Sequence, residues 1–130
     1  MISPSPTSAE GAPRRHGLAA SFGYAFAGLA AAWRSQPNLR IHALLAVVVV
    51  AAGLLLRLAP AGWAIVALAI GLVFAAELFN TALEAVVDLA SPQDHPLAKR
   101  AKDVAAAGVL VAALAAAAAG AAVLFGVLGR

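Results

Sequence analysis

A chain of 130 residues has the size of one domain. Its composition, 63% hydrophobic and 12% charged, lies far from the soluble average of about 25% charged and marks an integral membrane protein. Cysteine is absent, which excludes a disulfide framework, a thiolate nucleophile and a cysteine metal site. The net charge of +3 arises from nine Lys and Arg that form no dense basic stripe, and aromatics for base stacking are few, so no nucleic-acid partner is expected.

Residues 1–13, MISPSPTSAEGAP, are Ser/Pro-rich, lack an apolar core and read as a disordered leader before a single domain over residues 14–130. No secretory signal is expected, because the next apolar stretch is broken by Arg34 and Arg40 and leads to no small-residue cleavage site. Leu18, Phe22, Phe26, Leu29 and Trp33 then recur at spacings of four, four, three and four, which predicts one helix face over about residues 16–35. Arg14, Arg15 and Arg34 at its ends suit a helix lying in the membrane interface. The competing reading is an ordinary core helix of a soluble domain.

Three apolar segments follow, at about 41–59, 61–89 and 98–128, each meeting the requirement of about 20 residues for spanning hydrocarbon as a helix. The first contains only His42 near one end and Arg57 near the other, where long side chains snorkel to headgroups. APAGW around Pro60 reads as the turn after it, and ASPQDHP separates the second span from the third, since Pro92 and Pro96 disfavour helix interiors. The Ala-rich run AALAAAAAGAAV permits close helix packing but names no partner. Seven Lys and Arg lie on one side of the spans, at Arg14, Arg15, Arg34, Arg40, Lys99, Arg100 and Lys102, against Arg57 and Arg130 on the other. That asymmetry predicts a cytoplasmic N-terminus.

Into the second span, AAELFNTALEAVVDL (Ala75–Leu89) inserts Glu77, Asn80, Thr81, Glu84 and Asp88. At about 100° per residue these fall in one narrow sector. From Glu77 to Asp88 the helix rises about 16 Å, which sets Glu77 inside the cytoplasmic leaflet and Asp88 near water. A carboxylate at depth is costly enough that it usually faces a protein interior and serves a function. The bland alternative makes Glu77 and Glu84 structural anchors between helices of an oligomer. Three thin helices offer little surface to cover so long a stripe, which argues for a neighbouring subunit.

HPLAKRAKDVAA (His95–Ala106) places Lys99, Lys102, Asp103 and Ala106 on one face at the start of the third span, level with Glu84 and Asp88. Carboxylates able to hold Mg²⁺ and a lysine able to meet phosphate oxygens are what phosphoryl transfer needs. Asp103 is equally accounted for as a dipole contact at a helix N-terminus. With neither Walker A nor GxGxxG present, a nucleotide site has to be built from helix side chains.

AELFNTALEAVVD followed by HPLAKRAKDVAAAGVL resembles the signature of the small prokaryotic lipid kinases, the diacylglycerol kinase and undecaprenol kinase family. SFGYAFAGLAAAW and NLRIH follow the same pattern, so the resemblance covers about Ser21 to Gly120. It implies an all-α integral membrane fold, an amphipathic surface helix before three transmembrane helices, assembled as a homotrimer in the bacterial inner membrane with a cytoplasmic active site. It further implies Mg²⁺-dependent phosphorylation of a lipid alcohol by ATP. Carried over by position, Glu77 would be the general base on the lipid hydroxyl, Asn80 would orient the reacting groups, Glu84 would bind Mg²⁺ and Lys102 would meet the ATP phosphates. Asp88, His95 and Asp103 would line the nucleotide site, and Arg40 would join Glu77 on the substrate side.

Two departures from that pattern bear on the nucleotide side. Gln36 occupies the position of a second metal-binding Glu, and its amide oxygen can ligate Mg²⁺ without supplying charge. Near Gly17, where members can carry a basic residue, Arg14, Arg15 or His16 would have to substitute. NLRIH and HPLAKRAKDVAAAGV look more like the undecaprenol kinase branch, which makes undecaprenol the expected substrate and diacylglycerol the alternative. A reading from another class is a non-catalytic helical membrane protein, a small channel or an assembly factor whose acidic stripe conducts ions or binds a partner helix.

Overall fold

The computed structural model describes residues 17–129; the leader at 1–13, with Arg14, Arg15, His16 and Arg130, lies outside the described residues. Four helices follow one another: α1 (Leu18–Ser35), α2 (Pro37–Leu55), α3 (Pro60–Ala90) and α4 (Pro96–Leu128), with no strand among the described residues. Proline opens α2, α3 and α4. At a first helical position its missing N–H removes no intrahelical bond and its fixed φ already suits the helix. The first span therefore begins at Pro37 rather than 41, and Pro60 starts α3 instead of lying in a turn.

The same span closes at Leu55 rather than 59 for a local reason. Leu58 N–H donates to Gly53 O at 3.1 Å and Arg57 N–H to Leu54 O at 3.2 Å, while Arg57 takes φ 52°. This is a Schellman cap with arginine in the left-handed position that glycine usually fills. The connection to α3 is consequently no more than Leu56–Ala59.

α2, α3 and α4 are each long and apolar enough to cross a membrane. The 31 residues of α3 and 33 of α4 run to about 46 Å and 50 Å against a hydrocarbon core of about 30 Å. Each thus has several turns left over, and the charged residues are concentrated there. α3 is the central element: α4 lies along it, α2 packs beside it, and α1 touches only α2 and α3. Because α4 meets no other helix, its partly covered residues face α3: Ala105, Val109, Ala112, Ala116, Ala119 and Val123, one for each turn. That small-residue stripe is the partner choice hidden in the alanine-rich run, and it lets the two backbones approach so that van der Waals packing, the available attraction in lipid, can hold them.

Large apolar side chains point outward, among them Leu44, Phe79, Leu114 and Phe125. Lipid is the solvent for this surface. α1 buries only Ala32 and leaves Leu18, Phe22 and Phe26 exposed, so its apolar face covers no protein core and the soluble-domain reading fails. Between α2 and α4, floored by α3, runs an apolar groove of about 460 Å³ lined by Val49, Gly53, Val66, Ile70, Ala117 and Val123 among others.

Two glycines separate packing from propensity. A Cβ on Gly53 would lie 2.9 Å from Trp63 Cη2 and 3.0 Å from Leu58 Cδ1, whereas one on Gly71 meets nothing within 4 Å. Gly53→Ala is expected to destabilise by about 1–3 kcal/mol through overpacking, and Gly71→Ala to be neutral or to stabilise by up to about 1 kcal/mol. Reversible unfolding in mixed micelles, followed by circular dichroism, gives both values.

Candidate active site

The period of α3 puts Glu77, Asn80, Glu84 and Asp88 on one side, and α2 returns against it in the opposite direction. Leu39, 1% exposed, is the most deeply buried apolar side chain near the start of α2. From either side of it, Gln36 and His42 reach the acidic stripe. Gln36 Nε2 donates to Glu84 Oε2 at 3.0 Å, and Asn80 Nδ2 donates to Glu84 Oε1 at 2.9 Å, so both oxygens of that half-buried carboxylate are held. Two turns deeper along α3, His42 Nε2 lies 3.2 Å from Glu77 Oε1. Thr81 Oγ1 spends its hydrogen on the Glu77 backbone carbonyl at 2.8 Å. Toward water the ladder ends in Lys102 Nζ, 2.5 Å from Asp88 Oδ1, which ties α4 to α3.

Burial grades along the ladder. Glu77 is 2% exposed and Asn80 9%, while Asp88 is exposed. The deep end is therefore covered within one chain, because the start of α2 supplies polar partners that counting apolar helices does not reveal, while the outer end at Asp88 stays open. Two acceptors are left over. Glu77 Oε1 and Asn80 Oδ1 are buried and accept no hydrogen bond, the His42 ring being within ion-pair distance but out of hydrogen-bond alignment. An unsatisfied buried acceptor costs about 1–3 kcal/mol. Groups of that kind call for a specific explanation, and a catalytic role is one.

The remaining expected residues are engaged elsewhere. His95 is the N-cap of α4, its Nδ1 accepting from Leu97 N–H at 3.2 Å. Asp103 pairs with Lys99 at 2.6 Å one turn back along α4, with both side chains exposed, and so turns away from the Lys102–Asp88 contact. Arg40 is exposed on α2 and joins none of these pairs. The structure thus gathers Gln36, Glu77, Asn80 and Glu84 and sets Asp88 with Lys102 at the outer end. His42 is the residue that sequence reasoning passed over as an end-of-span side chain. Its signal was the face it shares with Leu39 and Ala46, all turned inward.

The fit of a divalent ion follows from the donor set. Among the described residues no three His, Cys, Asp or Glu side chains gather as a metal cage. Mg²⁺, however, commonly takes one or two carboxylates and completes its shell with water and substrate phosphates. Glu84, with the open Oδ1 of Asn80 nearby, suits an ion that arrives with the nucleotide. Gln36 presents its amide nitrogen to Glu84, so it must turn that amide before its oxygen can ligate.

All of these residues lie within residues 23–124, the stretch that matches the profile described as prokaryotic diacylglycerol kinase. The chain belongs to the prokaryotic diacylglycerol kinase family. Within the family it is 51% identical over 100 residues to a diacylglycerol kinase of Synechocystis sp., a match covering 76% of this chain and 57% of that protein's length. It is 44% identical over 94 residues to the undecaprenol kinase of Bacillus subtilis, covering 72% and 76% of the two chains. With a diacylglycerol kinase of Pseudomonas aeruginosa it shares 36% identity over 111 residues, covering 85% and 89%.

Gln36→Glu tests the amide beside Glu84. Replacing a donor 3.0 Å from Glu84 by a second carboxylate removes a charge-assisted hydrogen bond and adds repulsion, a change expected to lower stability by about 1.5–3 kcal/mol in EDTA. Added Mg²⁺ is expected to restore much of that loss, and to do less for the wild-type chain. Thermal melts of the two proteins with and without the ion make the comparison.

Proposed function

We propose that the chain transfers the γ-phosphate of ATP to the hydroxyl of a membrane lipid alcohol at the cytoplasmic ends of α3 and α4. The observation that carries this reading is the buried Glu77, with one oxygen unsatisfied, at the inner end of a polar ladder that opens to water at Asp88 and Lys102. A lipid hydroxyl reaches the inner end from the bilayer, and a nucleotide reaches the outer end from solution.

In this reading Glu77 removes the proton from the lipid hydroxyl as general base. Asn80 orients the hydroxyl through its open Oδ1 while its Nδ2 fixes Glu84. Lys102 exchanges Asp88 for phosphate oxygens, and charge-assisted bonds of that kind are among the stronger ones. Glu84, with Gln36 beside it, would hold Mg²⁺, which when bound neutralises phosphate charge and orients the transferring group. Asp88, His95 and Asp103 border the nucleotide, and Arg40 serves the headgroup side. The groove between α2 and α4 reaches His42 and Phe74, within a turn of Glu77, and gives a long apolar chain a place to lie. The excess of Lys and Arg at this end supports a cytoplasmic site in the bacterial inner membrane, and the family resemblance supports a homotrimer.

Undecaprenol is the substrate this reading favours, on NLRIH and HPLAK and on the similarity to the Bacillus subtilis undecaprenol kinase. Diacylglycerol is the second reading, favoured by the name of the Synechocystis relative. Phosphate transfer from γ-labelled ATP, with both lipids offered in parallel mixed micelles, decides between them. Undecaprenyl phosphate is expected as the major product, and Glu77→Gln is expected to lower the rate by about 10²-fold or more. Predominance of phosphatidic acid would reassign the substrate. No product from either lipid, in protein shown to be folded, would overturn the kinase reading.

A further inference from the structure

The groove between α2 and α4 begins beside the buried carboxylate and runs far beyond it. At one end it is lined by His42, whose Nε2 is 3.2 Å from Glu77 Oε1, and by Phe74, one turn from Glu77; at the other it is lined by Gly53 and Leu124. Gly53 follows Pro37 by 16 residues, about 24 Å along the helix axis. Half of a hydrocarbon core of about 30 Å is only about 15 Å, so the groove passes the bilayer midplane. Its α4 wall is made of small residues, Ala113, Ala117, Gly120 and Ala121 among them. Two glycines of the lining differ in what stands before them. A Cβ on Gly53 would lie 2.9 Å from Trp63 Cη2, whereas one on Gly120 would meet nothing within 4 Å. Gly120 follows Lys102 by 18 residues, a whole number of turns, so it shares the face of α4 that carries the lysine at the water end. The space in front of Gly120 is the groove itself.

We propose that this groove selects among lipid alcohols by chain length, with Gly120 as the position that keeps its far half open. Its occupant is one long polyprenyl chain, the hydroxyl at Glu77 and the tail passing Gly120 toward Gly53. The inference deepens the kinase reading above and rests on it. A diacylglycerol with its hydroxyl at the same carboxylate has two chains that end within one leaflet, and neither has to enter the far half. A polyprenol continues past the midplane and there finds an apolar lane that starts at the reactive group. Lipid tails are as apolar as the groove, so a chain gains by leaving them only through closer van der Waals contact. Discrimination is therefore a matter of fit along the lane, and a side chain projecting from position 120 blocks every chain long enough to reach it.

Gly120→Leu makes that block, and Gly71→Leu is its control. Both glycines are helical without a left-handed φ and have open space at the Cβ position, but Gly71 lies outside the groove lining. Undecaprenol and geraniol, a prenol too short to pass Gly120, are offered in parallel mixed micelles with γ-labelled ATP. Gly120→Leu is expected to lower kcat/KM for undecaprenol relative to geraniol by about tenfold or more, the scale of a small misfit in an apolar pocket. Gly71→Leu is expected to keep the wild-type ratio. An unchanged ratio in Gly120→Leu overturns the proposal. So does an equal loss for both alcohols with an altered pattern of cross-linked oligomers, which would give the groove to a helix of a second copy. A second readout needs no turnover. The chain has two tryptophans, and with Trp33→Phe the fluorescence reports Trp63 alone, beside Gly53 at the far end. Geranylgeraniol carrying a nitroxide at its tail is expected to quench Trp63, unlabelled undecaprenol to reverse the quenching, and Gly120→Leu to abolish the reversible part. Quenching that undecaprenol does not reverse overturns the proposal. Reversible quenching in a protein that phosphorylates neither alcohol would instead remove the kinase reading and keep the groove as a polyprenyl site.

Discussion

An ionisable side chain in a hydrocarbon-crossing helix has to find polar partners within the protein, and the C-terminal half of α3 holds together because the start of α2 and its N-cap bring them. Gln36 and Asn80 take one oxygen each of Glu84, and His42 meets Glu77. Gln36, the N-cap of α2, and His42 lie three residues to either side of the buried Leu39, so the face that carries this leucine inward also brings an amide and an imidazole to two carboxylates. Polar groups buried in lipid are tolerated when they line a protein interior. Here that interior lies between two antiparallel helices.

The second consequence of the membrane setting is a division of labour between the neighbours of α3. α4 offers it alanine and valine along most of its length and can come close because there is little side chain to keep the backbones apart. Only in its first turns, beyond the hydrocarbon, does it turn charged and give Lys102 to Asp88. α2 follows the same order, polar where it begins and apolar where it ends, but its polar start gives α3 an imidazole and, at the N-cap, an amide instead of a cation. The result is a site with a wet rim formed by α3 and α4 and a dry floor formed by α2 and α3, an arrangement suited to reactants that come from two different phases.

Much of this was legible in the residues, and what was missed has physical causes. Apolar length alone marks the three spans, and the spacing of Glu77, Asn80, Glu84 and Asp88 marks one face that runs from the interior toward water. Helix edges were less legible: the expected bounds leave residues 36–40 outside any helix until Pro37 is seen as a first helical residue, and Arg57 gives no hint of the left-handed cap it makes. Periodicity also identifies a face without naming what lies across it, which is why His42 and its carboxylate were not paired. His95 and Asp103 show the opposite limit. Both belong to a stretch with the chemistry of a nucleotide site, yet a helix cap and a pair one turn apart satisfy them locally, and such short-range alternatives cannot be weighed without coordinates.

The four-residue link at Leu56–Ala59 has a mechanical meaning. Gly53 lies against Trp63 there, and the two ends of the Schellman cap are tied by hydrogen bonds, so α2 and α3 are joined at the far side of the membrane as at the closed end of a pair of tongs. Any relative movement of the two arms is least at that pivot and greatest at the opposite tips, where Gln36 and His42 meet the acidic stripe. With the 19 residues of α2 about 28 Å long, a tilt of about 5° displaces its open end by about 2.5 Å. That is enough to part Gln36 from Glu84 or His42 from Glu77 while the packing beside the pivot barely changes, so the fold has leverage built in: small angles at one membrane face become bond-making distances at the other.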